Sequence, residues 1–483
     1  MWSCWLLGVL AVAARVVLAG AAGNRLLVVV ESDARPSYAR FLESLDSRGY
    51  EVTLRDPASV KKDNALYDYG ERAFDHIALL VPELKGLKGA LAPQALVRFA
   101  EDGGNLFVAL SPSLSEAWRD FAREFSLEFA ERGTSLVDHF GYDREHDTGD
   151  HTAVLVGGHR AHFSAGGAAN PVVFSDATRA ALATQPLTYR GIAHWIGPNP
   201  LAFPLLVPPS TAYESEVPKV SGKGSDAVLT NLAQLEQPSD AAQLLVGFDA
   251  TAPDATAALA SAVQLRTNSA RVVFVGSTEL LQNAALDDAA RSVHRAVVDD
   301  LTAWTFQERG VLRVVRSTHE RCRASEADTR PDYEEEVGVA TKMYRIKDRV
   351  YFTMDVQQYR DGRWTAAPTD LDLQLAITML DPYVTLPLEA SVVGDVTRYS
   401  GVFRLPDRHG VFTFRVNWKR HGWTYILTED VAPVRPFNHD EYPRMLSSSW
   451  PYVAGAISTM VGFVAFCVQW IYMSTSKVPQ KVE

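Results

Sequence analysis

Residues 26–31 read LLVVVE, an apolar run of the kind a strand shows when both of its faces are buried. Behind it Tyr38, Phe41, Leu42 and Leu45 recur at helical spacing, and Gly49 marks where that helix stops. The order then repeats. Residues 51–54 and 76–81 (HIALLV) read as strands and 93–101 as a helix. A strand at 105–110 (NLFVAL) follows the Gly103-Gly104 turn, and a helix at 113–125 carries Leu114, Ala117, Trp118 and Phe121 on one side. Such alternation predicts a mostly parallel sheet with helices on both faces, so residues 24–165 are expected to form a doubly wound α/β lumenal domain.

Residues 171–218 are rich in proline and weak in periodicity, and strands are expected beyond them at 242–248 and 271–275 (RVVFV). Residues 257–266 fit a helix on their alanine content and fit equally one arm of a hairpin turning at Thr267-Asn268-Ser269. Val293, Val297, Leu301 and Trp304 share one face of a helix over 292–308, with Gly310 after it. A second, small α/β domain over 170–315 is the expected result, with the charged stretch 316–336 as a linker. Beyond it the period drops to two. Val350, Phe352, Met354 and Val356 alternate with polar neighbours, as do Leu371, Leu373, Leu375 and Ile377, and GVFTFRVNW (410–418) and WTYIL (423–427) follow. Strands at short spacing without helices predict a membrane-proximal β-sandwich over 337–433.

Residues 452–473 contain no charged side chain, and about 20 apolar residues in a helix cross the roughly 30 Å hydrocarbon core. They read as a single C-terminal transmembrane helix, with Trp450, Tyr452, Trp470 and Tyr472 as interfacial anchors. Gly455, Ser458, Gly462, Ala465 and Gln469 fall within an arc of roughly 80° on that helix, a face of small residues and one amide that suits a transmembrane partner. At the other end the apolar run 5–14 and the small residues Ala19-Gly20-Ala21 read as a signal peptide over 1–22. Leader and span together predict a single-pass type I protein, the bulk of the chain lumenal and residues 474–483 a cytosolic tail.

With 47% apolar residues the chain between leader and span is folded domains rather than a disordered stalk. The formal charge of -11 argues against nucleic acid as a partner, since its phosphates call for cations. Of the 3 cysteines, Cys4 lies in the leader and Cys467 in the span, which leaves Cys322 with no intrachain disulfide partner in an oxidising compartment.

A doubly wound sheet binds ligands at the carboxyl ends of its strands, here Glu31-Ser32-Asp33, Pro82-Glu83 and Ser111-Pro112-Ser113. The first turn has no glycine to approach a pyrophosphate and two carboxylates to repel one, so no nucleotide cofactor is expected. Residues 138–151 (DHFGYDREHDTGDH) crowd together imidazoles and carboxylates, the ligands of Zn²⁺ or Mn²⁺. However, His139, His146 and His151 are not spaced as a helical metal pair, and the stretch reads as a polar loop. Ser277 follows a strand in VVFVGSTE but lacks the second glycine of a nucleophile elbow. Asp370-Leu371-Asp372 imitates the Asp-x-Asp with which many glycosyltransferases hold a metal and nucleotide sugar; at the start of an alternating strand it reads as surface pleat. No catalytic residue, cofactor or metal site is expected.

Longer stretches resemble a known family. FRLPDRHGVFTFRVNW (403–418), RPFNHDEYPR (435–444), ARVVFVGSTELL (270–281), ERGVLRV (308–314) and DHFGYD (138–143) with His151 are similar to the family of the non-catalytic 48-kilodalton subunit of the oligosaccharyltransferase complex. The similarity covers nearly the whole mature chain. It implies an accessory, scaffolding subunit at the endoplasmic reticulum membrane, in a complex that transfers a lipid-linked oligosaccharide to Asn of nascent proteins. The implied partners are a multi-span catalytic oligosaccharyltransferase subunit, whose Trp-Trp-Asp motif does not occur here, and the other subunits. Nascent polypeptide and lipid-linked oligosaccharide would be met indirectly. The resemblance favours the hairpin over 259–275 and makes GFDATAPDAT (247–256) an insertion. A dilysine retrieval signal is half present, with Lys481 but Gln480 and Pro479 in place of its companion. The alternatives are a membrane-tethered lumenal cargo or adhesion receptor, and a lumenal hydrolase for which residues 138–151 offer no nucleophile.

Overall fold

The computed structural model of the chain describes residues 20–62, 65–131, 133–158, 167–168, 170–216, 256–287, 292–322, 343–442 and 447–473. The expected signal peptide up to residue 19, the expected strand at 242–248, the expected insertion up to residue 255, the expected linker residues 323–336 and the expected tail 474–483 lie outside the described residues. Over the described residues the chain is mixed α/β, with a sheet-rich C-terminal region and one long apolar helix.

Strands β1 (Arg25–Val29), β2 (Glu51–Arg55), β3 (His76–Leu79), β4 (Asn105–Ala109), β5 (Gly167–Ala168), β6 (Ala202–Val207), β7 (Ala260–Gln264) and β8 (Arg271–Val275) form one sheet. Its order is β5-β6-β7-β8-β4-β3-β1-β2. Neighbours from β2 to β8 are parallel, and β7, β6 and β5 continue antiparallel. The helices that concern this sheet are α1 (Ala39–Ser47), α2 (Pro93–Glu101), α3 (Glu116–Arg123), α4 (Asp176–Thr184) and α5 (Ser292–Thr305).

Successive strand residues point to opposite faces, so each buried strand feeds two cores. Leu26, Val28, Phe107 and Val273 join Phe41 and Leu45 of α1 and Val297, Leu301 and Trp304 of α5. Leu27, Val29, Val108 and Phe274 join Phe99 of α2 and Trp118 and Phe121 of α3. Fully burying one such side chain is worth roughly 1.5–3 kcal/mol, which is why unbroken apolar runs become central strands.

The expected division between residues 24–165 and 170–315 does not divide this sheet. β8 pairs in parallel with β4, Val272 beside Leu106 and Val275 beside Ala109. Both strands are buried along their whole length, and a buried strand needs partners on both edges for its backbone. Residues 260–275 form the hairpin and not the helix, with Ala260 opposite Val275 and Gln264 opposite Arg271.

Past α5 the chain is strands: β9 (Val311–Arg321), β10 (Tyr344–Arg345), β11 (Arg349–Arg360), β12 (Arg363–Ala366), β13 (Gln374–Met379), β14 (Asp381–Pro387), β15 (Glu389–Val393), β16 (Val396–Arg404), β17 (Gly410–Trp418) and β18 (Ile426–Arg435). One sheet runs β9-β11-β16-β15 with β12 beside β11, the other β10-β18-β17-β13-β14. β9 takes residues 316–321 of the expected linker into a strand. Charge alone suggested a linker there, but the strand's polar side chains need only one solvated face.

The described residues fall into two compact units. The larger runs to His319 and includes Phe352–Gly401 and Phe414–Asp430; the smaller takes Glu320–Tyr351, Val402–Thr413 and the chain from Val431. In the smaller unit Glu441 accepts from Arg435 Nη1 at 2.7 Å, the Asn438 N–H at 2.7 Å and Arg345 Nη1 at 3.1 Å. The Arg435 guanidinium foremost, with these other donors, holds its carboxyl far below the ordinary range. Helix α6 (Trp450–Tyr472) has 23 residues, none buried, and matches the expected span.

Candidate functional site

At the carboxyl edge of the sheet, polar side chains engage one another. Ser113 donates to Glu83 Oε1 at 3.0 Å and lies 2.8 Å from the Ser111 hydroxyl. A cavity of about 190 Å³ beside Ser111 and Pro112 is lined also by Asp150, Arg190 and Glu279.

The 138–151 loop uses its imidazoles and carboxylates locally. Asp138, fully buried, accepts from the Phe140 N–H at 2.9 Å and the Thr211 hydroxyl at 2.8 Å. His146 lies 3.0 Å from Asp143, His151 lies 3.3 Å from Asp147, and His139 Nε2 lies 2.6 Å from the Tyr213 hydroxyl. The His139 and His151 rings approach to 4.9 Å, yet no group of three ligands able to hold a metal occurs among the described residues. Ser277 is 1% exposed and donates to the Arg190 oxygen at 2.5 Å, so its hydroxyl is closed off from any substrate.

The structure brings together a pair that sequence reasoning missed. His194 Nε2 lies 2.7 Å from the Ser261 hydroxyl, both residues wholly buried. Burial pushes the His194 imidazole down to about 3, so it stays neutral. Nearby in sequence to β6, Glu214 is also buried and accepts from the Ala193 N–H at 2.5 Å; burial pushes its carboxyl up to about 7. His194 and Ser261 are 67 positions apart, and only the pairing of residues 194–196 with 256–258, His194 opposite Ala258 just before β7, could have joined them.

A further site lies in the larger unit, where α5 ends. Gly310 at φ +65° and Gly422 at φ +90° meet backbone to backbone: a Cβ on Gly310 would stand 2.2 Å from the Gly422 oxygen. Only glycine fits such a contact in a left-handed conformation. Trp304 donates its indole N–H to that same oxygen at 2.7 Å, and Gln264 Nε2 donates to the Trp423 oxygen at 2.7 Å. Arg271 holds the joint from inside. It is wholly buried, donates to the oxygens of Trp304, Arg309 and Gly310 at 2.5, 2.6 and 2.8 Å, and lies 4.5 Å from the centre of the Trp304 ring. Burial lowers its pKa to about 9, still a cation at neutral pH.

Beside the joint opens a cleft of about 1020 Å³. Asn170, Asp300, Glu308 and Arg309 line it from the α/β part, and Tyr359, Asp361, Trp418 and Trp423 from the strand-rich part. Asp300 is closed by Arg309 at 2.8 Å and by the N–H and hydroxyl of Ser175 at 2.8 and 2.9 Å, where Ser175 caps α4. Glu308 accepts from Arg48 at 3.0 Å and from the Tyr50 hydroxyl at 2.7 Å, and burial raises its pKa. Asp370 and Asp372 also line the cleft. They stand in a turn before β13, Asp372 at φ +51°, and not at the start of a strand as the alternation suggested. Leu371 between them is 5% exposed and anchors the turn, which is why it mimicked the strand period.

On α6 the expected partner face is bare. Gly455, Ser458, Gly462, Ala465 and Gln469 are all exposed, and a Cβ on Gly455 or Gly462 would meet nothing within 4 Å. Ser458 returns its hydroxyl to the Gly455 oxygen at 2.8 Å, as serine does in an apolar helix.

Comparison with known proteins gives two family matches. The model of the OST48 N-terminal domain matches residues 18–308 and that of the OST48 middle domain residues 328–474. The dolichyl-diphosphooligosaccharide--protein glycosyltransferase subunit wbp1 of Schizosaccharomyces pombe is 32% identical over 469 residues, covering 95% of this chain and 94% of the relative. The 48 kDa subunit of the same-named transferase from Caenorhabditis elegans is 31% identical over 98% of this chain and 97% of its own length. That of Drosophila melanogaster is 28% identical over 99% and 97%.

Proposed function

The chain belongs to the OST48 family, and on that premise we propose that it is an accessory, non-catalytic subunit of an oligosaccharyltransferase, acting in assembly and scaffolding during protein N-linked glycosylation. The observation that carries this reading is extent. The two family domains reach from residue 18 to residue 474 and so take in the eight-stranded sheet, the strand-rich region and α6. Relatives of matching length bear the name of a glycosyltransferase subunit, and a receptor or hydrolase reading has no such support.

The absence of a catalytic role is supported by how the candidate groups are engaged. Ser277 is turned onto a backbone oxygen, and His194 and Ser261 are sealed in the core. The reaction would belong to a multi-span partner. The protein sits in the endoplasmic reticulum membrane with its bulk lumenal, anchored by α6. Helices contributing to both cores favour a doubly wound first domain, and the two five-stranded sheets favour a membrane-proximal sandwich. Gly455, Ser458, Gly462, Ala465 and Gln469 are the face offered to a neighbouring subunit's helix, since small residues and an amide allow close approach where lipid provides no hydrophobic drive.

Two assays test this reading. Purified alone, the chain should transfer no oligosaccharide to an acceptor peptide, whereas the complex isolated through it should; transfer by the isolated chain would overturn the non-catalytic role. Protease added to sealed microsomes should remove only residues beyond Met473, and digestion of the folded domains would reverse the orientation.

A further inference from the structure

We propose that the open edge of β15 takes up, as an added strand, an extended segment of another protein chain that is rich in β-branched residues and flanked by Lys or Arg. The inference rests on the subunit reading only for which protein supplies that segment; the recognition chemistry stands on the edge.

The first support is the backbone. A strand carries donors and acceptors along both of its edges. β15 is paired with β16 over all five of its residues, from Glu389 opposite Ser400 to Val393 opposite Val396, and it ends its sheet. Among the described residues no strand lies along its far edge, and such an edge is a template for one more. Main-chain hydrogen bonds then supply affinity, and alternate side chains supply specificity.

The second support is how this edge differs from the other sheet ends. Exposed edges are blunted by proline, by lysine or arginine, by a bulge, or by keeping the strand very short. At the opposite end of the same sheet β9 carries Arg313, Arg316 and Arg321. In the other strand-rich sheet β14 contains Pro382 and Pro387 and meets β13 through a register shift at Ile377 and Thr378, while β10 has only two residues. β15 reads EASVV and has none of these devices. Its register is unbroken, and Val392 and Val393 are 59% and 48% exposed. Adjacent strand residues point to opposite faces, so an added strand would cover apolar surface on both. β-branched side chains suit such a pleated, half-buried place.

The third support is charge. Glu389 opens the strand and Asp395 follows it, both exposed and neither in an ion pair among the described residues. The cation on the paired strand, Arg398 opposite Ser391, is bound to Asp355 at 2.8 and 3.0 Å. Opposite charges across a strand pair attract and like charges repel. A second copy of β15, laid in either direction, would bring carboxylates against carboxylates; a segment with basic flanks neutralises them.

The test uses the full chain in detergent with three fluorescent peptides: alternating Thr and Val between lysines, the same core between glutamates, and the lysine peptide with every core nitrogen methylated. Fluorescence anisotropy should report saturable binding of the lysine peptide and at least tenfold weaker binding of the other two. Val392→Lys should weaken the lysine peptide at least tenfold, whereas Val411→Lys, at a residue 60% exposed on the other sheet, should not. The double variant Glu389→Lys, Asp395→Lys, at two exposed positions, should reverse the charge preference. No saturable binding, binding indifferent to methylation or to Val392→Lys, or an unreversed charge preference would each overturn the proposal. In membranes, a photo-cross-linking side chain placed at Val392 should join the chain to a segment of this composition in another protein, identified by mass spectrometry. No adduct, an adduct to a second copy, or one to a segment without such residues would overturn it as well. Loss of the adduct with transferase co-isolation intact would leave the subunit reading standing; the expected adduct in a preparation that holds no transferase would sink that reading alone.

Discussion

The interior around Arg271 and the surface of α6 are opposite solutions to the same problem. Arg271 is a cation with no solvent contact, and the fold meets it with three backbone oxygens and the face of Trp304. Helix α6 is 23 residues of mostly apolar surface, none of them buried. The first region is completed by the chain itself. On the proposed reading the second is completed by lipid and by partner helices, so the two should respond to mutation through different readouts, folding for one and assembly for the other.

The largest effect is expected inside. Arg271→Leu removes the donor from three buried oxygens and the cation from Trp304, and should destabilise the larger unit by about 3–5 kcal/mol, measured by urea unfolding followed by tryptophan fluorescence. If stability were unchanged, the closed interior would not depend on this hub.

Glu214 sharpens the picture of the closed interior with pH. Its carboxyl titrates at about 7 when folded against roughly 4.3 when unfolded. A raised carboxyl pKa means that the unfolded state loses its proton first, so stability falls as pH rises from about 4.3 towards 7 and levels off above. Glu214→Gln, which keeps the acceptor for Ala193, should therefore stabilise by up to about 3 kcal/mol at pH 8 and by almost nothing at pH 4.5. A gain independent of pH would show that Glu214 is not the titrating group.

On α6 the readout moves to assembly. Gly462→Leu should cut partner retention at least tenfold while unfolding of the larger unit stays as in the wild type, and Val461→Leu should have no effect. The smallest change is expected for Gln469→Leu, which loses a single interhelical hydrogen bond of roughly 0.5–2 kcal/mol. Equal retention by Gly462→Leu and the wild type would mean that the helix is only an anchor.

Much of this contrast was legible in the chain. LLVVVE, HIALLV, NLFVAL and RVVFV are buried on both faces, and a run of that kind announces a central strand. The span needed only length and the lack of charge. What could not be read was which strands share a sheet: Val272 and Leu106 are paired, but periodicity is a local property and says nothing of the partner. The cleft was hidden for the same reason, because its lining runs from Arg48 to Trp423. Gly310 signalled only a helix stop, and Gly422 fell between the stretches 410–418 and 423–427. Asp370 and Asp372 misled because a buried Leu371 in a turn reproduces two positions of a strand.

The most direct measurement is isolation of the full chain from its own membranes in digitonin, with the retained proteins identified and oligosaccharide transfer to an acceptor peptide assayed on the same sample. Retention of a multi-span glycosyltransferase together with transfer activity is the expected result. A chain that emerges alone and inactive, from membranes whose extract still transfers oligosaccharide, would contradict its place as a subunit.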